Sequence, residues 1–111
     1  MKCCPTDSVM KIEWEKDLRT GLEMPDIEID RLSRLFKTLG HPLRLKIALL
    51  LLERDHCVCE LVYLLGERQN PASHHLAIMK TNRVVESYNS SKWKYYKLDG
   101  DLVELLKDMI L

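Results

Sequence analysis

The apolar positions of this chain run first at a helical period, then alternate, then become helical again. Ile29, Leu32, Leu35, Phe36 and Leu39 recur at three- and four-residue intervals, which predicts an amphipathic helix closed by Gly40. Pro42 suits the opening of a second helix, whose Leu43, Ile47, Leu50 and Leu51 are spaced for burial. Val58, Leu61, Val62 and Leu65 mark a third, with Gly66 where it should end. In a fourth, Asn70 is placed to cap and Pro71 to occupy the first helical position. There Ala72, Leu76 and Met79 form an inward stripe, and Asn70, Ser73, His74, Ala77 and Thr81 lie on the opposite, small and polar face. Two short helical patterns around a Gly-containing break, from His56 to Thr81, are the sequence form of a helix-turn-helix.

After Asn82 the period becomes alternating. Val84, Val85 and Tyr88 precede Asn89-Ser90-Ser91, and Trp93, Tyr95, Tyr96 and Leu98 follow it, which predicts a hairpin. Trp93 and the tyrosines are expected to pack on a sheet face rather than to offer a stacking platform for bases. Asp99 or Asp101 is suited to cap a last helix striped by Leu102, Leu105, Leu106, Met109 and Ile110. So rich a stripe at the end of a small domain is expected to be a dimer interface. Residues 1–27 read as an N-terminal arm, with a helix suggested by Val9, Ile12 and Leu18 and interrupted by Gly21 and Pro25. The expected architecture is mainly α with a small β-hairpin: a homodimeric winged helix-turn-helix over residues 28–111.

Composition narrows this picture without redirecting it. A chain of 111 residues makes one small domain, to which dimerisation would add buried surface. The longest apolar run, Ile47 to Leu52, is far too short to span a membrane. The opening MKCCPTD lacks the apolar stretch of a signal peptide, so a cytoplasmic location is expected, with the four cysteines reduced. Basic and acidic residues balance at 17 each, but their distribution is uneven. Between Arg68 and Lys97 stand Arg68, Lys80, Arg83, Lys92, Lys94 and Lys97 against Glu86 alone. Such a local basic surface suits duplex DNA, with the hairpin lysines along phosphates.

Cys57 and Cys59 carry the candidate chemistry. Inside a regular helix, residues two apart point about 200° away from each other around the axis and cannot share one small ion. They converge only at a helix entrance, which Asp55 and His56 make plausible. A thiol there lies at the positive end of the helix dipole, which favours the metal-binding thiolate. Cys-x-Cys is not the spacing of a thiol oxidoreductase, and no phosphate loop or nucleophile–base pairing is visible, so an enzyme is not expected.

The segments LFKTLGHPLRLKIALLLLERDHCVCEL, SHHL and SKWKYYKL together resemble the ArsR/SmtB family of metal-responsive transcriptional repressors, over roughly residues 30–98. The resemblance implies a homodimer that binds palindromic operator DNA, needs no cofactor to do so, and releases it when a metal or metalloid binds. It places Gln69, Asn70, Ser73 and His74 at the DNA-reading positions and Lys92 and Lys94 on the wing. Arg83 stands where that family commonly has Gly, so Asn82 is expected to take the left-handed turn conformation; the wing tip lacks Gly as well.

Of the sensing arrangements known in that family, the one with a third cysteine a turn after Cys-x-Cys meets Val62 here. The one with ligands on the C-terminal helix finds no His after His75. The one that joins Cys-x-Cys to cysteines of the N-terminal arm finds Cys3 and Cys4. Soft thiolates point to Cd(II), Pb(II), As(III) or Sb(III) as inducers. Consecutive side chains diverge, so Cys3 and Cys4 do not readily place both sulfurs on one ion, and a three-thiolate site is the favoured set, with His56 as an extra donor candidate. The alternative is a thiol-based redox sensor of the same fold.

Overall fold

The computed structural model describes residues 6–19 and 23–110, which form six helices and three strands. They fall into two compact units, residues 1–31 and 32–111. Cys3 and Cys4 lie outside the described residues.

In the first unit α1 (Ser8–Arg19) begins where Asp7 Oδ1 accepts the Val9 amide at 3.1 Å. None of its residues is buried, and Val9, Met10, Ile12 and Leu18 are all more than half exposed. The helix expected in the arm is therefore present, with those four apolar side chains in solvent and Trp14 half-buried. Helix α2 (Asp26–Leu39) begins with two acidic residues in its first turn, matched to the positive end of its dipole.

In the second unit α3 (Pro42–Glu53) starts at His41, whose Nδ1 accepts the Leu43 amide at 3.1 Å, with Pro42 in the first helical position. Arg44 Nε donates to Thr38 O at 2.7 Å, fixing the corner between α2 and α3. Helix α4 (Val58–Leu65) and helix α5 (Gln69–Thr81) form the helix-turn-helix. Strands β2 (Val85–Ser90) and β3 (Trp93–Leu98) form the wing, and α6 (Gly100–Ile110) closes the chain. Ile47, Ala48 and Leu51 of α3, Leu61 of α4, Leu76 and Met79 of α5, Val84, Val85, Tyr96 and Leu98 of the wing, and Leu102 and Leu106 of α6 make one core.

Helices α4 and α5 end in the same motif. Gly66 has φ 66° after α4, with Gly66 N–H donating to Tyr63 O and Glu67 N–H to Val62 O. After α5, Arg83 N–H donates to Lys80 O and Val84 N–H to Met79 O at 2.8 Å. Both are Schellman closures, and in the second the buried pair Met79–Val84 supplies the accompanying hydrophobic contact. The left-handed residue is Arg83 (φ 59°), not Asn82, which has φ −90°. Asn82 is held there because its side-chain Nδ2 and its backbone N–H both donate to Ile78 O, so the turn falls one residue later.

Two further differences from the sequence reading are local. Helix α5 starts at Gln69 with Arg68 as its N-cap residue, not at Pro71 with Asn70 as cap. The amides of a helix's first turn have no intrahelical acceptor, so Pro71 fits its third position as well as its first. The wing also gains a third strand. β1 (His56–Cys57) pairs antiparallel with β3, His56 against Tyr96 and Cys57 against Tyr95, giving the order β1-β3-β2.

Candidate nucleic-acid interface and thiol pair

The inward stripe of α5 is as the periodicity requires: Ala72, Leu76 and Met79 are each 0% exposed. Burying those three forces the other face outward, and Gln69, Asn70, Ser73, His74, Ala77 and Thr81 are all exposed. The face is free of bulky apolar groups and carries amide, hydroxyl and imidazole functions, the kinds that hydrogen-bond base edges or phosphates. His75 turns the other way. Its ring lies 4.5 Å from that of His41, and its Nδ1 is 3.5 Å from Arg44 Nη1. Partial burial, and then the positive charge of His41, Arg44 and His74, hold the His75 pKa below the ordinary imidazole value.

The wing is tied to that helix. Lys80 Nζ donates to Ser87 Oγ at 2.8 Å, from the last turn of α5 to β2. Ser90 pairs with Trp93 across the two-residue turn Ser91–Lys92, and Ser91 takes φ 57° in place of glycine. Lys92 and Lys94 are exposed, their Nζ atoms 5.5 Å and 5.7 Å from the ring centroids of Trp93 and Tyr96. Lys97 pairs with Glu86 at 3.6 Å. On the core side Tyr96 packs as expected for a sheet face, and Tyr88 stacks on Tyr95 at 5.8 Å on the other. Trp93 does not pack: it is 48% exposed at the tip, because β3 there runs beyond the core that covers Tyr96 and Leu98.

Cys57 and Cys59 sit at the entrance of α4. Cys57 is its N-cap residue, extended at φ −84° and ψ 166°, half-buried and a free thiol; Cys59 is free and exposed one step inside. The two are thus not both held in regular helix. The entrance is built by Glu60, three residues after Cys57, where a capping box needs its acid. Glu60 Oε1 accepts the Cys57 amide at 3.2 Å and Oε2 accepts Arg54 Nη2 at 2.9 Å. The Cys57 amide, and with it the Cys57 thiol, His56 and Arg54, lower the Glu60 pKa. His56 is buried, with Nδ1 lacking a hydrogen bond and 3.7 Å from Glu60 Oε1. Among the described residues no three His, Cys, Asp or Glu side chains converge as a metal cage.

Glu60 was a residue the sequence reading passed over, although Cys-x-x-Glu repeats the spacing of a Ser/Thr-x-x-Glu box. The contact from Asp55 to Tyr88 and that from Lys80 to Ser87 join positions 33 and 7 residues apart and carry no local signal.

The model of bacterial regulatory proteins of the arsR family matches residues 41–87. An HTH-type transcriptional regulator of Methanocaldococcus jannaschii is 35% identical over 80 residues, covering 70% of this chain and 90% of that one. A CadC homologue of Staphylococcus aureus, a cadmium resistance transcriptional regulatory protein, is 35% identical over 75 residues, covering 67% of this chain and 62% of that one. Among solved structures, the homodimeric winged helix-turn-helix DNA-binding domain of a possible ArsR-family regulator from Mycobacterium bovis superposes with TM-score 0.69 at 26% identity, over 77% of this chain and 79% of that one. These relatives are regulators, not enzymes. No helix of the described residues is long and apolar enough to cross a membrane.

Proposed function

This chain belongs to the ArsR family of winged helix-turn-helix, DNA-binding transcriptional repressors, and from that premise we propose that it is a cytoplasmic homodimer that releases operator DNA when cysteine thiolates bind a soft metal or metalloid ion. The observation that carries the reading is the position of Cys57 and Cys59, free thiols at the entrance of the helix that leads directly into α5. Cys57 stands at the N-terminal end of α4, the positive end of that helix's dipole. Cys3 and Cys4 of the arm, residues 1–27, complete a set of three thiolates, or four for Cd(II), on an ion drawn from Cd(II), Pb(II), As(III) and Sb(III). The relative named for cadmium resistance supports this class of inducer.

The groove between α2 and α6 is lined by Leu35, Phe36, Leu39, Leu102, Leu105 and Met109, and Phe36 and Met109 are more than half exposed; a second copy covers it. In that dimer the two α5 helices enter successive major grooves about 34 Å apart, with no cofactor required. Gln69, Asn70, Ser73 and His74 contact base edges and adjoining phosphates, and Lys92 and Lys94 hold flanking phosphates. Ligation draws the arm onto the α4 entrance and makes the DNA-competent arrangement less favourable. The ion acts only through its different affinity for the two states, a coupling of about 1–3 kcal/mol.

Fluorescence anisotropy of a duplex from upstream of the protein's own gene tests this, with and without Cd(II), Pb(II) and As(III), on the native chain and on Cys57→Ser/Cys59→Ser. Release by an ion from the native chain but not from the double variant is the expected result. Tight binding indifferent to all three ions defeats the reading, and release by oxidant alone replaces it with a thiol redox sensor.

A further inference from the structure

Trp93 is the first residue of β3, next to the wing's two-residue turn. On an alternating strand residues 93, 95 and 97 share one face, and residues 96 and 98, both buried, share the other. The face of Trp93 is covered at Tyr95, which stacks on Tyr88, but at the tip only Lys92 Nζ stands over the indole, which is 48% exposed. The bulkiest side chain of the hairpin thus stands in solvent, where the fold gains little from it. Its neighbour in the turn is cationic: Lys92 Nζ lies 5.5 Å above the ring, while Lys94 points to the other face, over Tyr96. An apolar plate beside an exposed lysine complements a polyanion with apolar ridges, which describes the sugar–phosphate walls of a DNA groove.

The reach agrees. From Val85, where β2 leaves the core beside the end of α5, to Ser90 at the tip are five strand steps, about 17 Å at the usual rise. Half of a duplex repeat of about 34 Å, the step from a major groove to the flanking minor groove, is the same distance. Lys80 bonds Ser87 at 2.8 Å, linking the end of α5 to the wing.

We propose that Trp93 is a DNA-positioning residue, its indole packed against the deoxyribose rings that line the minor groove flanking the α5 site, with Lys92 on the adjoining phosphate. The contact is apolar and sets how far the wing seats, as other proteins seat apolar side chains in a minor groove. The inference rests on the operator-binding reading above, and the test separates the two. The chain has two tryptophans, Trp14 and Trp93, so Trp14→Phe leaves Trp93 as the sole indole reporter. This variant is titrated with the upstream duplex, labelled for anisotropy and unlabelled for indole emission.

Trp93 emission is expected to change in step with the anisotropy. Trp93→Ala is expected to weaken binding about tenfold, within the range for a single aromatic contact to nucleic acid, and Trp93→Phe to retain most of the affinity. The salt slope separates plate from charge: Trp93→Ala leaves it unaltered, whereas Lys92→Ala reduces it by about 1. Binding with unchanged indole emission overturns the proposal and leaves operator binding standing, as does a Trp93→Ala affinity within about twofold of native. No anisotropy change at low salt overturns operator binding itself and the proposal with it.

Discussion

Tyr88 donates its hydroxyl hydrogen bond to Asp55 Oδ2 at 2.6 Å, tying β2 of the wing to the turn that presents Cys57. With the ladder between β1 and β3, this makes the thiol-bearing turn and the wing hairpin parts of one sheet. The hydrogen bond, and then the Asp55 charge, raise the Tyr88 phenol above its ordinary pKa, because ionising it would lose the bond and set two anions together. Asp55→Asn is expected to bring that phenol back toward the ordinary value. Phenolate absorption during an alkaline titration, with Tyr88→Phe to assign the late step, checks it; an unshifted late step in Asp55→Asn would mean the pair is not made in solution.

Arg83 holds a left-handed backbone (φ 59°) to close α5, a conformation that costs an L-residue roughly 1–2 kcal/mol and glycine very little. Part of that gain is lost because glycine also enlarges the freedom of the unfolded chain. Arg83→Gly is therefore expected to stabilise the protein by about 0.5–1 kcal/mol, read as a higher urea midpoint. Arg83→Ala, which keeps the Cβ, should bring no such gain.

The two faces of α5 should separate cleanly under mutation. Leu76 is 0% exposed in the core, and Leu76→Ala is expected to cost about 2–5 kcal/mol, enough to unfold a large share of so small a protein. Ser73 is exposed, and Ser73→Ala should shift stability by less than about 0.5 kcal/mol while weakening operator binding. Chemical denaturation beside anisotropy tests both. Equal loss of stability in the two variants would mean that the helix is rotated from the orientation described.

His75 makes the folded state sensitive to acid. Its folded pKa lies below the unfolded value of about 6.5, chiefly because it is partly buried and then because His41 and Arg44 face it, with Glu67 opposing the shift. Protons therefore bind the unfolded chain first. Its contribution to stability is intact above about pH 6.5 and is lost as pH falls from there toward the folded pKa. His75→Gln should flatten this part of the profile. Urea unfolding at pH 7.5, 6.5 and 5.5 measures it, and parallel profiles for native and variant would remove His75 as the cause.

Helices α3 to α6 were legible because each buries a stripe, and a stripe is a local periodicity. Ala72, Leu76 and Met79 pointed inward in the sequence and are fully buried in the fold. Gly66 ended α4 for an equally local reason, since a left-handed closure favours the residue without a Cβ. The same logic misplaced the left-handed residue after α5 by one position. No glycine marks Arg83, and only the paired bonds from Asn82 to Ile78 O move the turn there. Strand β1 was illegible because two residues have no period; it exists only because β3 offers an edge.

The candidate sites divide along the same line. Spacing alone required that Cys57 and Cys59 stand at a helix entrance if they were to share an ion, and they do stand there, with Glu60 closing the cap. Spacing also determined the order of the elements and the outward face of α5, since both follow from which residues must leave water. What only the tertiary structure decided are the meetings of distant residues, Tyr88 with Asp55 and His75 with His41 and Arg44, and the half-exposed indole of Trp93 beyond the reach of the core. Periodicity tells a side chain which way to face; whether anything waits on that side depends on chain packed there from elsewhere in the sequence.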